Sequence, residues 1–155
     1  MKKIVAVFLA VVMMLGVCPI SALASDNVTT ETDVEYFEDG SYIVTEMTTS
    51  TISMFATKTV SKTKSSHYYD SNDNKEWTVS LSATFNYTGS SATCTSATTS
   101  HKIYNDAWKV TSAVPSKSGN KATGTFTVKR YFGIVPVQTV NRTLTITCSN
   151  NGVCS

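Results

Sequence analysis

The sequence predicts an all-β domain, an antiparallel β-sandwich or a small open barrel. Three observations carry this. From Thr57 onward, apolar and polar residues alternate with period two, which puts successive side chains on opposite faces of a strand. Clusters of Gly, Pro, Asn, Asp and Ser separate the alternating runs, as turns require. Helical periodicity is absent after Val17.

The chain opens with a segment that does not belong to the fold. Lys2 and Lys3 precede an apolar stretch from Ile4 to Val17, and Pro19 and Ala22-Leu23-Ala24 follow it. A positive front, a short apolar run and small residues at the exit are the marks of a signal peptide, expected to be cut after Ala24. Residues 1–24 are therefore read as an export signal, and the mature protein as secreted, with no transmembrane segment. Bulky Val17 before Cys18 argues against lipidation at that cysteine.

Residues 25–56 read as an acidic, Thr-rich arm or linker. Within them, Glu35-Tyr36-Phe37 and Tyr42-Ile43-Val44 flank an Asp39-Gly40 pair, which predicts a hairpin at 35–46. Residues 57–155 form the sandwich domain. Its clearest strand alternates Trp77, Val79, Leu81, Ala83, Phe85 and Tyr87 with Thr78, Ser80, Ser82, Thr84 and Asn86. Two more run through Ala122, Gly124, Phe126 and Val128, and through Val140, Leu144, Ile146 and Cys148. Weaker strands are expected over Thr57–Lys64, Ala92–His101 and Trp108–Val114, the last with Trp108, Val110 and Val114 on one side. The expected core is Trp77, Leu81, Phe85, Trp108, Phe126, Leu144 and Ile146. Cys94, Trp108 and Cys148 follow the pattern of a cysteine pair with a tryptophan packed on it, so the shape is expected to be immunoglobulin-like. Ile146 stands where that pattern has a tyrosine, and the analogy is one of shape.

Charge divides the mature chain in two. Asp26, Glu31, Asp33, Glu35, Glu38, Asp39 and Glu46 meet no Lys or Arg before Lys58, whereas the remainder is rich in Lys and Arg. Such asymmetry points to an anionic partner for the body, or to an acidic arm folded against it. Once Cys18 leaves with the signal peptide, Cys94, Cys148 and Cys154 remain, and in an exported chain one bridge and one leftover thiol are expected. Three pairings exist.

The stretches Tyr36 to Glu46 (YFEDGSYIVTE), Tyr68 to Cys94 (YYDSNDNKEWTVSLSATFNYTGSSATC) and Ser116 to Tyr131 (SKSGNKATGTFTVKRY) resemble a group of small, uncharacterised secreted proteins of Gram-positive, clostridial-type bacteria. The resemblance covers most of the mature chain. It implies export, a β-rich fold and a cysteine pair like Cys94 and Cys148, and it names no function. Inward-facing Cys148 also favours a Cys94–Cys148 bridge between distant strands, with Cys148–Cys154 across Asn150-Asn151-Gly152 as its rival.

The chemistry-bearing residues do not assemble into a catalytic motif. His67 and His101, the only bases for a nucleophile, lie in polar strand-edge or turn sequence. Asp70, Asp73, Glu76 and Asp106, the acids of the body, include two in an expected hairpin turn. The protein is accordingly read as non-enzymatic and free of metal and cofactor. Surplus aromatics at strand ends, Tyr68, Tyr69, Tyr104, Tyr131 and Phe132, have the flat faces that stack on sugar rings. Behind Lys129 and Arg130, the connection Tyr131-Phe132-Gly133-Ile134-Val135-Pro136-Val137 is apolar where a hairpin tip is ordinarily polar. Lys129, Arg130, Tyr131, Phe132, Ile134 and Val135 are the expected contact surface. The expected partner is an anionic cell-envelope polymer, a glycan or a protein, and not nucleic acid. The alternative reading is a processed secreted effector, bacteriocin-like or toxic, with residues 25–56 as propeptide.

Overall fold

The computed structural model describes residues 30–52 and 58–155; the signal-peptide expectation and the junction near Ala56 lie outside the described residues. The described chain forms eight antiparallel strands in two sheets, without a helix or a closed barrel. β1 (Thr30–Tyr36), β2 (Tyr42–Ile52), β3 (Lys58–Tyr69), β4 (Lys75–Tyr87) and β5 (Ala92–Ile103) make the first sheet in chain order. β6 (Trp108–Ser118), β7 (Lys121–Phe132) and β8 (Val135–Thr147) make the second. This is the expected β-sandwich. Each strand pairs with its sequence neighbour, so the two sheets are not interleaved along the chain as in the immunoglobulin arrangement, and the likeness stops at shape.

The core lies where the period-two pattern puts it. Trp77, Leu81, Phe85, Trp108, Phe126, Leu144 and Ile146 are all buried, joined by Ile43, Val60, Tyr68, Val79, Val128 and Cys148. Tyr68 stacks on Trp77 at 5.2 Å, and Trp108 of the second sheet meets both rings edge-on, locking the sheets together. On the opposite face of the first sheet the hydroxyl residues find one another across β3 and β4. Thr59 meets Asn86 at 3.0 Å, Ser61 Thr84 at 3.1 Å, Thr63 Ser82 at 2.9 Å, Ser65 Ser80 at 2.9 Å and His67 Thr78 at 2.8 Å. The Ser/Thr-rich composition is thus a cross-strand ladder, each rung contributing roughly 0.2–1 kcal/mol.

Two expectations change. The hairpin expected at 35–46 extends over Thr30–Ile52, and β2 pairs with β3 along its whole length. Residues 30–52 are therefore built into the sheet rather than standing apart as an arm, and Ile43 and Met47 are buried. On β6, Val110 and Val114 do not share a face: a bulge between Val110 and Ser112 shifts the parity, leaving Val114 exposed and Ala113 packed against the core. β6 also runs through Pro115 to Ser118, because an edge strand needs no inward N–H there.

Candidate binding cleft

β8 is an edge of the small sheet, and β1 and β2 project past it on the large one. Their inward faces and the rim of β8 enclose a cleft of about 520 Å³, within the range of small-molecule sites. One wall is the β1–β2 turn, held by Phe37 N–H to the Ser41 carbonyl at 2.9 Å and Gly40 N–H to the Phe37 carbonyl at 3.1 Å. Gly40 has φ +81°, a conformation that favours glycine. The Ser41 backbone N–H and hydroxyl both donate to the Asp39 carboxylate. These bonds hold its pKa below the ordinary aspartate value.

The floor is aromatic. Phe37, 37% exposed, leans on buried Tyr68 at 6.1 Å, and Tyr68 stacks in turn on Trp77 and meets Trp108 edge-on. The solvent-facing ring is therefore braced by the core and presents a fixed surface. Opposite lie Gln138, Thr139, Val140, Asn141 and Arg142 of β8. Gln138 Nε2 reaches the Tyr68 hydroxyl oxygen at 3.4 Å.

Arg142 ties the walls together. Its Nη1 donates to Glu35 Oε2 at 2.6 Å, its Nε to Ser66 Oγ at 3.2 Å and its Nη2 to Thr45 Oγ1 at 3.2 Å. The acidic segment thus folds against the basic body at this point, as the charge division allowed. Arg142 has a signal in the sequence: it falls on the inward parity between Val140 and Leu144, where an apolar residue is due. Glu31, Asp33 and Glu35 of β1 face the same way as buried Met47, Thr45 and Ile43, their register partners.

The expected contact surface comes together as a single hairpin tip. Gly133 and Ile134 form a two-residue turn between paired Phe132 and Val135, with Gly133 at φ +61°. Ile134 is 93% and Phe132 82% exposed, with Val135 and Val137 beside them. Behind the tip, Lys129 faces Lys109 across β6–β7, Lys109 Nζ sits 5.4 Å from the Tyr131 ring centre, and Arg130 is exposed. Cys94 and Cys148, the expected bridge, lie far from this end, near the β6–β7 turn.

Of the remaining candidates, Asp70 is committed to its own loop. It accepts the N–H groups of Asn72 and Asn74, each at 2.9 Å, and Nδ2 of Asn74 at 3.0 Å, which lowers its pKa. Asp73 accepts from the Tyr42 hydroxyl at 3.0 Å. His67 is half-buried, and its pKa falls through burial first and Lys75 second, against the opposing pull of Glu46. Among the described residues no group of three or more His, Cys, Asp or Glu side chains is placed to hold a metal ion.

Asp39 and Asp70 yield an acid-range prediction. A carboxyl whose folded pKa is depressed stabilises above its unfolded value of about 3.9 and loses that contribution as pH falls through the folded pKa. NMR titration of the side-chain carboxyl carbons is expected to place both midpoints below that of an unstructured aspartate; midpoints at or above it would contradict the two turn geometries.

No family model, curated protein or solved structure matches the chain.

Proposed function

We propose that this is a secreted, non-enzymatic domain that binds a glycan at the cell envelope through the cleft between the β1–β2 turn and β8. The observation that carries the reading is Phe37, a half-open ring braced on Tyr68 and surrounded by hydrogen-bonding side chains. A sugar presents apolar C–H faces and a rim of hydroxyls. An aromatic platform takes the first, while carboxylates and an amide, here Glu38, Asp39 and Gln138, take the second.

The charge of the cleft narrows the ligand. Glu35 offsets Arg142, leaving Glu38 and Asp39 as the outward charges. That arrangement suits neutral or amino sugars better than an anionic polymer. A binding role rather than hydrolysis is supported by the same groups. Glycoside hydrolysis needs one carboxyl kept protonated by a raised pKa. Asp39 is shifted the other way, and Glu35 is held in an ion pair with Arg142.

The test is affinity electrophoresis of the secreted protein against neutral, amino-sugar and anionic polysaccharides. Retardation by neutral or amino-sugar chains is expected, weakened about tenfold, or roughly 1.4 kcal/mol, by Phe37→Ala. Retardation by anionic chains alone, abolished by Lys129→Ala with Arg130→Ala, would overturn the cleft and assign binding to the hairpin tip. The processed-effector reading is favoured by the Glu35–Arg142 pair, which sets acidic chain against basic body. Mass spectrometry separates the two: a secreted chain beginning near Ser25 supports the binding domain, and one beginning near Thr57 supports the effector.

A further inference from the structure

Three thiols share one buried site at the end of the molecule opposite the cleft. Cys94 donates its N–H to the Gly119 carbonyl at 2.7 Å, and Cys148 donates to the next carbonyl, Asn120, at 2.9 Å. Asn120 Nδ2 returns a bond to the Cys148 carbonyl at 2.7 Å. One turn thus fixes both cysteine backbones side by side. Beyond β8 the chain doubles back through Asn150-Asn151-Gly152, and Thr147 and Ser155 exchange both backbone bonds at 2.8 and 2.9 Å. The next pair inward, Cys148 opposite Cys154, is therefore a non-hydrogen-bonded antiparallel pair. Such pairs hold their Cα atoms roughly 4.5 Å apart, inside the window of about 4.4–6.8 Å that a disulfide spans. In this structure all three side chains are buried thiols.

We propose that Cys148 is the shared partner of two alternative disulfides, bonded to Cys154 in the oxidised protein and transferable to Cys94. The register redirects the expectation of a Cys94–Cys148 bridge, since Cys154 stands directly across from Cys148. Closing the first bridge removes two protons and two electrons from the Cys148 and Cys154 thiols. A small-molecule or protein disulfide accepts both and becomes two thiols. Transfer then needs no further oxidant: Cys94 thiolate attacks Cys148 Sγ, the Cys148–Cys154 bond breaks, and Cys154 leaves as thiolate and takes the proton that Cys94 gave up. Burial raises the pKa of the Cys94 and Cys154 thiols, Cys148 adding to the rise at Cys154, so exchange is slow at rest. Each of the two outer sulfurs also has a lysine favouring its thiolate, Lys117 toward Cys94 and Lys62 toward Cys154. The attacking and leaving groups are thus both provided for. This proposal is independent of the glycan reading.

Tryptic mapping without reduction tests it on the secreted full chain. Cys148 and Cys154 fall in one peptide, Thr143–Ser155, and Cys94 in another, Glu76–Lys102. In the unmodified protein the first peptide is expected two hydrogens lighter than its reduced form, with Cys94 alkylated only after denaturation. Cys94→Ser leaves that bond in place, and Cys154→Ser moves it, giving the two peptides as a linked pair. Three alkylatable thiols, or the linked pair already in the unmodified protein, would overturn the resting bridge. A Cys154→Ser protein that folds with two free thiols after oxidation would overturn the transfer.

Discussion

Replacing Trp77 by alanine is expected to cost about 3–5 kcal/mol, the range for deleting a fully buried aromatic. Trp77 is fully buried, stacked on Tyr68 within its own sheet and met edge-on by Trp108 from the other. Its loss removes the contact that holds the two sheets at this end. A domain of ordinary stability, roughly 5–15 kcal/mol, would lose a large part of it. The same substitution unseats Tyr68 and with it the floor beneath Phe37, so the proposed glycan binding should fall together with stability. Trp77→Phe is the control. The indole N–H is buried without a hydrogen-bond partner among the described residues, so removing it forfeits no bond and the cost should be markedly smaller. Urea denaturation of the two variants measures the difference; equal losses would contradict the packing described.

Gly152→Ala carries the second large effect. Gly152 has φ +85°, and a Cβ built there would overlap the Tyr87 ring at Cζ. Backbone strain of about 1–2 kcal/mol adds to an overpacking cost of about 1–3 kcal/mol, because the Tyr87 ring is itself buried. The tail from Ser149 to Ser155 should lift off, breaking the Gly89 N–H to Asn150 carbonyl bond of 2.9 Å and exposing Cys154. Under reducing conditions the native variant should be alkylated at Cys154 far faster than the parent. Unchanged alkylation rates and an unchanged denaturation midpoint would show that the tail does not pack on Tyr87.

Most of the sandwich was legible because its core strands obey a two-residue code. Trp77 to Tyr87 reads as a strand with one apolar face, and that face is the one buried. The reading weakened where burial and polarity part company. On β2 the buried series is Ile43, Thr45, Met47 and Thr49, and on β3 it includes Lys62 and Ser66 between Val60 and Tyr68. Those polar residues are satisfied by partners from distant chain, as Thr45 and Ser66 are by Arg142, and a local pattern carries no trace of them. Residues 30–52 consequently read as an arm although they are part of the sheet. The bulge in β6 has the same character: Val114 alternates correctly in sequence, and one extra residue turns it outward.

The cleft was less legible than the fold. The aromatic surplus and the hairpin tip are visible in the sequence, whereas Phe37 and Arg142 draw their meaning from distant chain, Phe37 from Tyr68 and Arg142 from Glu35, Thr45 and Ser66. Glu35 and Arg142 are 107 positions apart and meet at 2.6 Å. The cysteines show the converse. The strongest structural indication is the local one, Cys148 facing Cys154 across a turn, while reasoning from inward-facing strands favoured the distant Cys94.

The account rests most heavily on the cleft, and amide chemical-shift mapping tests it most directly. Titrating the labelled protein with the oligosaccharide fragment of a retarding polysaccharide should move the amides of Phe37 to Ser41 and of Gln138 to Arg142, leaving Phe132 to Val135 unmoved. Shifts concentrated at Phe132 to Val135, with Phe37 to Ser41 unmoved, would contradict it.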